Sequence, residues 1–520
     1  MNLEKYETYK NDFYSNTTIE KRRVFGQYFT PIEIVKFMCQ YIDTEENINV
    51  LEPAFGLGIF SNYLLNNYNN ISNIKAYEID TTLESYNSKL YEIFNSKIKI
   101  EYEDYLYADW QKKFDFVIAN PPYFKHIHMK NKDYIRKIFE KETNFKFSSS
   151  TNIYCWFLIK SISQLSNKGK LCFIIPSDFL NANYGIKIKE FLLKNNILER
   201  IIRFDFKTEL FDDAITTSCI LFINKNKIEK KVDFTTILNI NDINKKYSEL
   251  DSIEYNIDAL DCKKKWRNYF DKPKNLLYQN LTQFNNIGKV KRGIATGDND
   301  FFIFTKSKAK ELNIGNECLI PCICKASYMK DIKVLNDNII NTFIKENEEM
   351  FLFNGLKASS TAELNYIKQA EEKEINKKYL LSKRKPWFKL ENKASADFLV
   401  SVLNRTKLNF ILNNTNIINL TCYHGLYLNE NLKIYKDLLF LYLNSNTAYE
   451  LFTLEKREYG SGLIKFEPND INNSYILNFE CISSVDKKLL IQYALEFEET
   501  NDFNIVEKAD ELFREYIFPK

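Results

Sequence analysis

The four residues Asn120-Pro121-Pro122-Tyr123 combine hydrogen-bond acceptors with an aromatic ring in a way that suits chemistry on a planar amine. Two consecutive prolines continue neither a strand nor a helix, so they fix the backbone in an extended arc. The side-chain oxygen of Asn120 and the carbonyl oxygen of Pro121 can then accept from one NH2 group. An aromatic amine is a poor nucleophile, and two acceptors favour the pyramidal nitrogen of its transition state. Tyr123 would stack on the ring of the substrate and hold it.

Two features upstream of this run point to a nucleotide-like ligand. The sequence LEPAFGLGIF places Gly56 and Gly58 after a hydrophobic run, where glycines let the backbone approach a ligand. A tight structural turn would also explain this pattern. Glu78 follows the next hydrophobic run, 26 residues after Glu52, where a carboxylate can accept from both hydroxyls of a ribose. Together they favour an adenosine-containing cofactor, and the missing third glycine of G-x-G-x-x-G disfavours NAD.

Alternating strands and helices must position these residues. Between about Val50 and Lys225 the β-rich runs are NINVLEPA, IKAYEID, IKIEYEDYL, FDFVIANPP, KLCFIIP, LERIIRF and TTSCILFIN. Between them, helical patterning predicts helices over Asp133–Lys141, Asn152–Leu165 and Gly185–Asn195. This alternation predicts a doubly wound α/β sheet that binds its ligand at the carboxyl ends of the strands.

The length of 520 residues exceeds one ordinary domain, and the net charge of +3 neither requires nor excludes nucleic acid. We predict a catalytic domain over residues 1–255 and a second, α+β domain over residues 256–520. Nine basic residues and one acidic residue lie in Lys263–Arg292, which forms a basic strip near this boundary. Helical apolar spacing over Ser484–Phe518 predicts a closing pair of helices.

The order of these motifs resembles the γ class of bacterial adenine-N6 DNA methyltransferases of restriction–modification systems. In that class a segment before the first strand folds back onto the cofactor, and GQYFTP, which starts at Gly26, matches it. EPAFGLGIF, YEID, EDYL and NPPY follow in the order of the family, and then TNIYCWFLIKS, GKLCFIIPSDFL and LFDDAITTSCILF. The resemblance covers about Gly26–Ile223 and implies a Rossmann-like class I methyltransferase sheet with a second, α+β target-recognition domain. Phe55 stands where this group often has a small residue or Cys, which should alter packing rather than chemistry.

The resemblance implies S-adenosylmethionine as the cofactor and assigns residues to each part of it. Thr30 and Glu52 would contact the methionyl end, Glu78 the ribose hydroxyls and Asp104 the adenine amino group. The complete set of implied cofactor residues is Thr30, Glu52, Gly56, Glu78, Ile79, Asp104, Tyr105 and Phe157. Of these, Ile79, Tyr105 and Phe157, which are aliphatic or aromatic, would surround the adenine ring.

The resemblance also implies how duplex DNA is held. Asn120 and Pro121, with Pro122 shaping the turn, would accept from N6 of a flipped adenine, while Tyr123 and Phe211 stack on its two faces. Segments resembling the target-recognition region are KRGIATGDNDFFIF, KRKPWFKL and KREYGSGLIKFEP. The candidate DNA contacts in or next to these segments are Lys289, Lys291, Arg292, Lys383, Arg384, Lys385 and Arg457. For each of these charges a solvated surface position is the alternative.

Other readings remain open because NPPY is shared with protein-glutamine and some RNA methyltransferases. The long C-terminal region with its basic entry strip favours duplex DNA over those substrates. A catalytically dead DNA-specificity subunit would leave the intact Glu78, Asp104, Asn120 and Tyr123 unexplained. No fused nuclease is expected, since the C-terminal region lacks a clear carboxylate–lysine core. We expect a monomer on DNA and a cognate restriction endonuclease encoded separately.

Neither a membrane nor a metal is expected. The first residues have no apolar signal region, and no run approaches the roughly 18 apolar residues of a membrane span, so we expect the chain in the cytoplasm. The ten cysteines are scattered, as is typical of reduced thiols. Only Cys318, Cys322 and Cys324 cluster, and a tetrahedral zinc site would need a fourth ligand nearby that the sequence does not supply.

Overall fold

The computed structural model describes residues 3–27, 29–94, 96–123, 131–204, 218–271, 278–404, 407–453, 457–459 and 463–518. The chain divides into two compact units, Met1–Lys274 with Tyr459–Ser461, and Asn275–Glu458 with Gly462–Lys520. The compact units divide after residue 274, whereas the domain boundary predicted from the sequence lies at residue 255. The reason is aromatic packing, because Trp266 and Phe270 contact the ring of Phe234 in the core of the first unit.

The first unit is built on a sheet that has nine strands within the described residues. They are β1 Ile48–Glu52, β2 Ile71–Tyr77, β3 Ile98–Glu101, β4 Phe114–Ala119, β5 Leu165–Pro176, β6 Leu198–Phe204, β7 Ser218–Asn224, β8 Lys231–Ile237 and β9 Ser252–Asn256. Their order is β3-β2-β1-β4-β5-β7-β6-β8-β9. Strands β1 to β5 pair in parallel, whereas β7 runs antiparallel to both neighbours. The predicted doubly wound sheet is confirmed, and β8 and β9 extend it beyond the region where the sequence alternates clearly.

Helices cover both faces of this sheet. They are α1 Leu3–Asn16, α2 Ile19–Phe25, α3 Ile32–Cys39, α4 Ile59–Asn67, α5 Glu84–Tyr91, α6 Lys132–Thr143, α7 Ile153–Ser163 and α8 Gly185–Lys194. Successive side chains of a strand point to opposite faces, so Val117 and Ile118 of β4 enter different hydrophobic cores. Both are completely buried. The three helices that the sequence predicts between the strands are confirmed as α6, α7 and α8.

The second unit is a mixed α+β structure, as expected. Its strands are β10 Leu281–Gln283, β11 Gly288–Arg292, β12 Ile303–Phe304, β13 Leu319–Ile323, β14 Val334–Leu335, β15 Phe351–Phe353, β16 Phe398–Ser401, β17 Leu403–Asn404, β18 Phe410–Asn413, β19 Ile418–Asn419, β20 Tyr423–Leu428, β21 Arg457–Tyr459, β22 Leu463–Lys465 and β23 Tyr475–Leu477. Its helices are α9 Asn299–Phe302, α10 Lys306–Glu311, α11 Asp337–Lys345, α12 Thr361–Glu372, α13 Lys436–Leu443, α14 Asn446–Thr453, α15 Pro468–Asn472, α16 Ser484–Thr500 and α17 Phe503–Ile517. Helices α16 and α17 are the predicted closing pair.

Two sheets organise the second unit, with strand orders β11-β20-β16-β18-β14 and β12-β15-β13-β19. The hydrophobic core beside the β11-β20-β16-β18-β14 sheet includes Leu490 of α16 and Phe513 of α17. This burial explains the apolar spacing of the two closing helices. Across the residues that the structure describes in both units, no helix combines the length and the apolar character that a membrane span needs.

Candidate active site

A cavity of about 250 Å³ lies where β1, β2 and β4 end. Its walls include every residue that the resemblance assigns to the cofactor, namely Thr30, Glu52, Gly56, Glu78, Ile79, Asp104, Tyr105 and Phe157. Asn120 and Pro122 of the NPPY run reach the same cavity. Carboxyl ends of parallel strands share one edge of a sheet, so residues distant in sequence meet there.

Glu52, the last residue of β1, is buried and held by the start of α4. The backbone N–H of Ser61 donates to Glu52 Oε2 across 3.0 Å, and the Ser61 hydroxyl donates to the same oxygen. Burial raises the pKa of Glu52 to about 8, although the two bonds from Ser61 act in the opposite direction. At that pKa the carboxyl group is mostly protonated near pH 7, and a cation beside it would favour its ionised form.

Glu78 follows β2 and connects two turns that border the cavity. The N–H of Gly56 donates to Glu78 Oε2 across 2.6 Å, and the N–H of Asp80 donates to Oε1 across 2.8 Å. Burial raises the pKa of Glu78, while these backbone bonds lower it. Because each carboxylate oxygen has a further lone pair, Glu78 can still accept from the two hydroxyls of a ribose.

The turn that follows β3 carries Asp104 and Tyr105, and a buried lysine anchors it. Lys160 of α7 donates from Nζ to the carbonyl oxygens of Tyr105 and Ala108, both across 2.6 Å. The N–H of Leu106 donates to Asp104 Oδ1 across 2.9 Å. Burial raises the pKa of Asp104 and lowers the pKa of Lys160 to about 8. These bonds fix one oxygen of Asp104 and leave the turn with a defined shape.

The segment before β1 folds back onto the NPPY run. Asn120 donates from Nδ2 to Thr30 Oγ1 across 3.1 Å. Gly26 adopts a φ of +65°, and a Cβ atom there would lie 2.8 Å from the Cβ of Pro122. A side chain at Gly26 would therefore clash as well as strain the backbone. The segment before β1 therefore lies directly against the NPPY run.

Tyr123 is half-buried, and its hydroxyl donates to the carbonyl oxygen of Ile174 on β5 across 3.2 Å. Pro121, between the two residues that reach the cavity, is buried. The hydroxyl bond fixes the far end of the tyrosine ring beside the sheet. A fixed ring loses little freedom when a base stacks on it.

Phe55, the residue that departs from the pattern of the family, packs inside the turn. Its ring lies 5.3 Å from the ring of Tyr91, which also donates to the carbonyl oxygen of Leu57 across 2.9 Å. Gly58 adopts a φ of +69° and has no room for a Cβ atom beside the Phe55 ring. The large side chain is thus accommodated by packing, as expected.

The predicted basic DNA contacts of the second unit differ in their surroundings. Lys289, Lys291 and Arg292 are exposed on β11. Arg384 instead donates to the carbonyl oxygens of Thr296, across 2.8 Å, and Ala295. Its guanidinium group therefore shapes the loop after β11. The remaining predicted contacts are Lys383, Lys385 and Arg457. The Nζ atom of Lys383 lies over the ring of Tyr379, and Arg457 is the first residue of β21.

Three ligand-type side chains approach one another in the second unit, Glu317, Cys318 and Glu363. Glu363 is already satisfied, because the N–H of Gly315 donates to it across 2.9 Å and the N–H of Ser359 across 2.8 Å. These bonds lower the pKa of Glu363 to about 2. They serve to cap α12, and the arrangement carries no metal assignment.

Residues 5–287 match the family described as N-6 DNA Methylase, which is more than half of the chain. The type II methyltransferase M.AccI of Acinetobacter calcoaceticus is 39% identical over 523 residues, covering 97% of this chain and 95% of that protein. The chain belongs to the N-6 DNA methylase family. It is an adenine-N6 DNA methyltransferase of the restriction–modification type.

Further comparisons match either one part of the methylase or nearly its whole length. Residues 263–513 match the C-terminal domain of type II methyltransferase M.Eco57I. The type II methyltransferase M.HincII of Haemophilus influenzae is 31% identical over 228 residues, which is 42% of this chain and 40% of that protein. A structure of the type IIL restriction–modification enzyme MmeI in complex with DNA covers 97% of this chain and 78% of its own, with a TM-score of 0.62 and 14% identity. That likeness shows a shared fold.

Several residues of the methylase site have types and spacings that carry no signature in the sequence. Gln27 and Phe29 lie inside the GQYFTP segment, and both line the cavity. Tyr6 of α1 also lines it, although it precedes every recognised motif. In the sequence, Lys160 is an ordinary lysine within a hydrophobic helix, and only its complete burial in the structure distinguishes it from a surface lysine. Phe211, the predicted second stacking residue, lies outside the described residues.

Proposed function

We propose that the methylase transfers a methyl group from S-adenosylmethionine to N6 of an adenine that is flipped out of duplex DNA. The observation that carries the proposal is that one cavity collects all the implied cofactor residues and also opens on Asn120. The cofactor would therefore lie within reach of the acceptors that hold the target amine.

The cavity suits a cofactor that is positively charged at its reacting end. Among its described lining residues are the carboxyl groups of Glu52, Glu78, Glu103 and Asp104, and none is Lys, Arg or His. Such a lining attracts a cation and repels phosphate groups. It therefore favours S-adenosylmethionine over a dinucleotide, in agreement with the missing third glycine.

Each end of the cavity offers contacts for a different part of that cofactor. Tyr105 and Phe157 form an aromatic wall with ring centroids 5.2 Å apart, and Asp104 lies beside it as an acceptor for the adenine amino group. Ile79 is 52% exposed, so it offers an apolar surface for the other face of the base. Glu78 would bind the ribose, and Glu52 the methionyl end.

The NPPY run would prepare the target amine for attack. When bound, S-adenosylmethionine supplies an electrophilic methyl group on its sulfonium sulfur. The side-chain oxygen of Asn120 and the carbonyl oxygen of Pro121 would accept from the two N6 hydrogens, which favours a pyramidal nitrogen with its lone pair available. Tyr123 would stack on the adenine and keep that lone pair in line with the methyl group. A neutral acceptor set does not remove the N6 proton, which leaves to water after transfer.

The second unit would recognise the DNA sequence, with Lys289, Lys291 and Arg292 contacting phosphates. We propose a monomer on DNA that acts as the modification enzyme beside a separately encoded restriction endonuclease. Because the substrate is DNA, the cytoplasm is the proposed location. MmeI, which shares the fold, is known in a complex with DNA.

The test is methyl transfer from labelled S-adenosylmethionine to unmethylated duplex DNA, followed by mass spectrometry of the nucleosides. We expect N6-methyladenine with the wild type and a rate at least roughly 100-fold lower with Asn120→Ala, as for loss of a transition-state hydrogen bond. The affinity for the cofactor should stay nearly unchanged in that variant. Transfer to protein or RNA but not to DNA would overturn the proposal.

A further inference from the structure

A tyrosine of the first helix closes one wall of the cavity. Tyr6 lies on α1 and is 1% exposed, and its side chain is part of the cavity lining. Helix α1 is fixed by edge-to-face contacts of Phe13 with Phe29 and Tyr86, at 5.9 and 5.8 Å. Lys5 also donates from Nζ to the carbonyl oxygen of Lys89 across 3.1 Å. The helix therefore presents Tyr6 to the cavity in a defined position.

The hydroxyl group of Tyr6 is buried without a hydrogen-bond partner among the described residues. A buried hydroxyl in that state costs free energy, so a ligand that provides an acceptor would be favoured at this point. Burial raises the pKa of Tyr6 well above its ordinary value, and the charge of Glu52 adds to the effect. The hydroxyl therefore keeps its proton and is available as a donor.

Tyr6 and Glu52 line the same cavity, and Tyr6 packs in one hydrophobic core with Ile59 and Phe60 at the start of α4, the helix that holds Glu52. These positions favour the end of the cavity that the methionyl group would occupy. A methionyl group carries both an ammonium and a carboxylate. Glu52 offers a partner for the ammonium, but the described lining residues include no basic side chain for the carboxylate. A neutral donor must serve instead, and hydrogen bonds to an ionised acceptor are the stronger ones.

We propose that the Tyr6 hydroxyl donates a hydrogen bond to the carboxylate of the methionyl end of the cofactor. This inference rests on the proposed function, since it takes S-adenosylmethionine as the ligand. It makes α1, which precedes all recognised motifs, part of the cofactor site. Tyr6 discriminates ligands by their amino-acid end, whereas the residues from β2 and β3 bind the nucleoside end.

The test compares Tyr6→Phe with wild type for two ligands that differ in the carboxylate alone. S-adenosylhomocysteine carries it, and its decarboxylated analogue S-adenosyl-3-thiopropylamine does not. Calorimetry should show that Tyr6→Phe weakens S-adenosylhomocysteine by about 10-fold or more, as for a hydrogen bond to a charged group. The affinity for the decarboxylated analogue should change by less than about twofold, because that ligand makes no bond to lose.

Tyr9→Phe is the matched control, since Tyr9 lies on the same helix and contacts the ring of Tyr86 rather than the cavity. It should bind both ligands as wild type does, and equal melting temperatures would show that all variants fold. Equal weakening of the two ligands by Tyr6→Phe, or no weakening of either, would overturn the role of Tyr6.

Failure of the proposed function gives a different result. With Tyr6 unchanged, Glu78→Ala should weaken the binding of both ligands, because both carry the ribose. If that dependence is present while Tyr6→Phe has no effect, the cofactor site stands and the Tyr6 assignment is wrong. If the wild-type protein binds neither ligand, the proposed function itself is wrong.

Discussion

The side-chain NH2 group of Asn120 donates to Thr30 Oγ1 across 3.1 Å, although 90 residues separate the two in sequence. This bond selects one of the two orientations that the amide can adopt. The proposed chemistry uses the other atom of this amide, the Asn120 oxygen, as the acceptor. The segment before β1 therefore contacts the NPPY run and also lines the cavity.

Replacing Thr30 with Val should slow methyl transfer by about fivefold, since the amide of Asn120 loses the acceptor that orients it and one hydrogen bond is typically worth about 1 kcal/mol. Single-turnover rates with saturating cofactor would measure the effect. Thr30→Ser keeps the hydroxyl group and should stay within about threefold of wild type. Equal rates for the Val and Ser variants would show that the bond does not orient Asn120.

Cofactor binding should release a proton near pH 7, and Glu52 should be its source. The pKa of Glu52 is raised to about 8, and a bound ammonium would favour the ionised form. Affinity should therefore rise with pH up to about 8, where the α-amino group of the cofactor begins to lose its own proton. Calorimetry in buffers of different ionisation enthalpy measures the number of protons released.

Glu52→Gln should abolish this release, whereas Glu84→Gln, an exposed change on α5, should not. The protein without cofactor gives a second measurement. Between the ordinary pKa of 4.5 and about 8, the unfolded chain binds fewer protons at this site than the folded chain. Stability should therefore fall as pH rises through that range, and Glu52→Gln should remove this part of the slope. A Gln variant that still releases protons would contradict the assignment.

Tyr123 should act through its ring rather than its hydroxyl. Tyr123→Phe loses the bond to the carbonyl oxygen of Ile174, worth about 1 kcal/mol, but keeps the face on which adenine would stack. Tyr123→Ala also loses the stacking, worth roughly 1–3 kcal/mol per base. With 2-aminopurine as the target base, wild type and the Phe variant should give a large fluorescence increase that the Ala variant reduces. Equal behaviour of the two variants would refute stacking.

DNA binding should depend on the exposed charges of β11. Lys289→Ala and Lys291→Ala should each weaken binding to all DNA sequences alike and lower the slope of log K against log salt by about 1, because a phosphate contact releases a counterion. Titrations at several salt concentrations give this slope. Lys433→Ala is the control, since Lys433 is exposed but ion-paired with Glu430 at 2.7 Å. An unchanged slope in both β11 variants would move the DNA contact elsewhere.

The boundary between the two units shows why part of the fold was not readable in the sequence. Strands β1 to β7 are predictable because strand and helix patterns alternate strongly there. After Lys225 that alternation fades, and the assignment of Trp266 and Phe270 to the first unit depends on which core their rings enter. Long-range packing leaves no periodic signal, so the sequence does not show which core these two rings enter.

The sequence by itself determined the sheet, the family and the residues that line the cavity. Hydrophobic periodicity predicts the strands, and the NPPY run and the glycine turn are local motifs that can be read from residue types and spacing alone. Tertiary structure alone decided that Thr30 orients Asn120, that Lys160 anchors the turn of Asp104, and that Tyr6 closes the cavity. Each of these residues acts through a partner brought close by folding, and its own neighbours in sequence carry no trace of that partner.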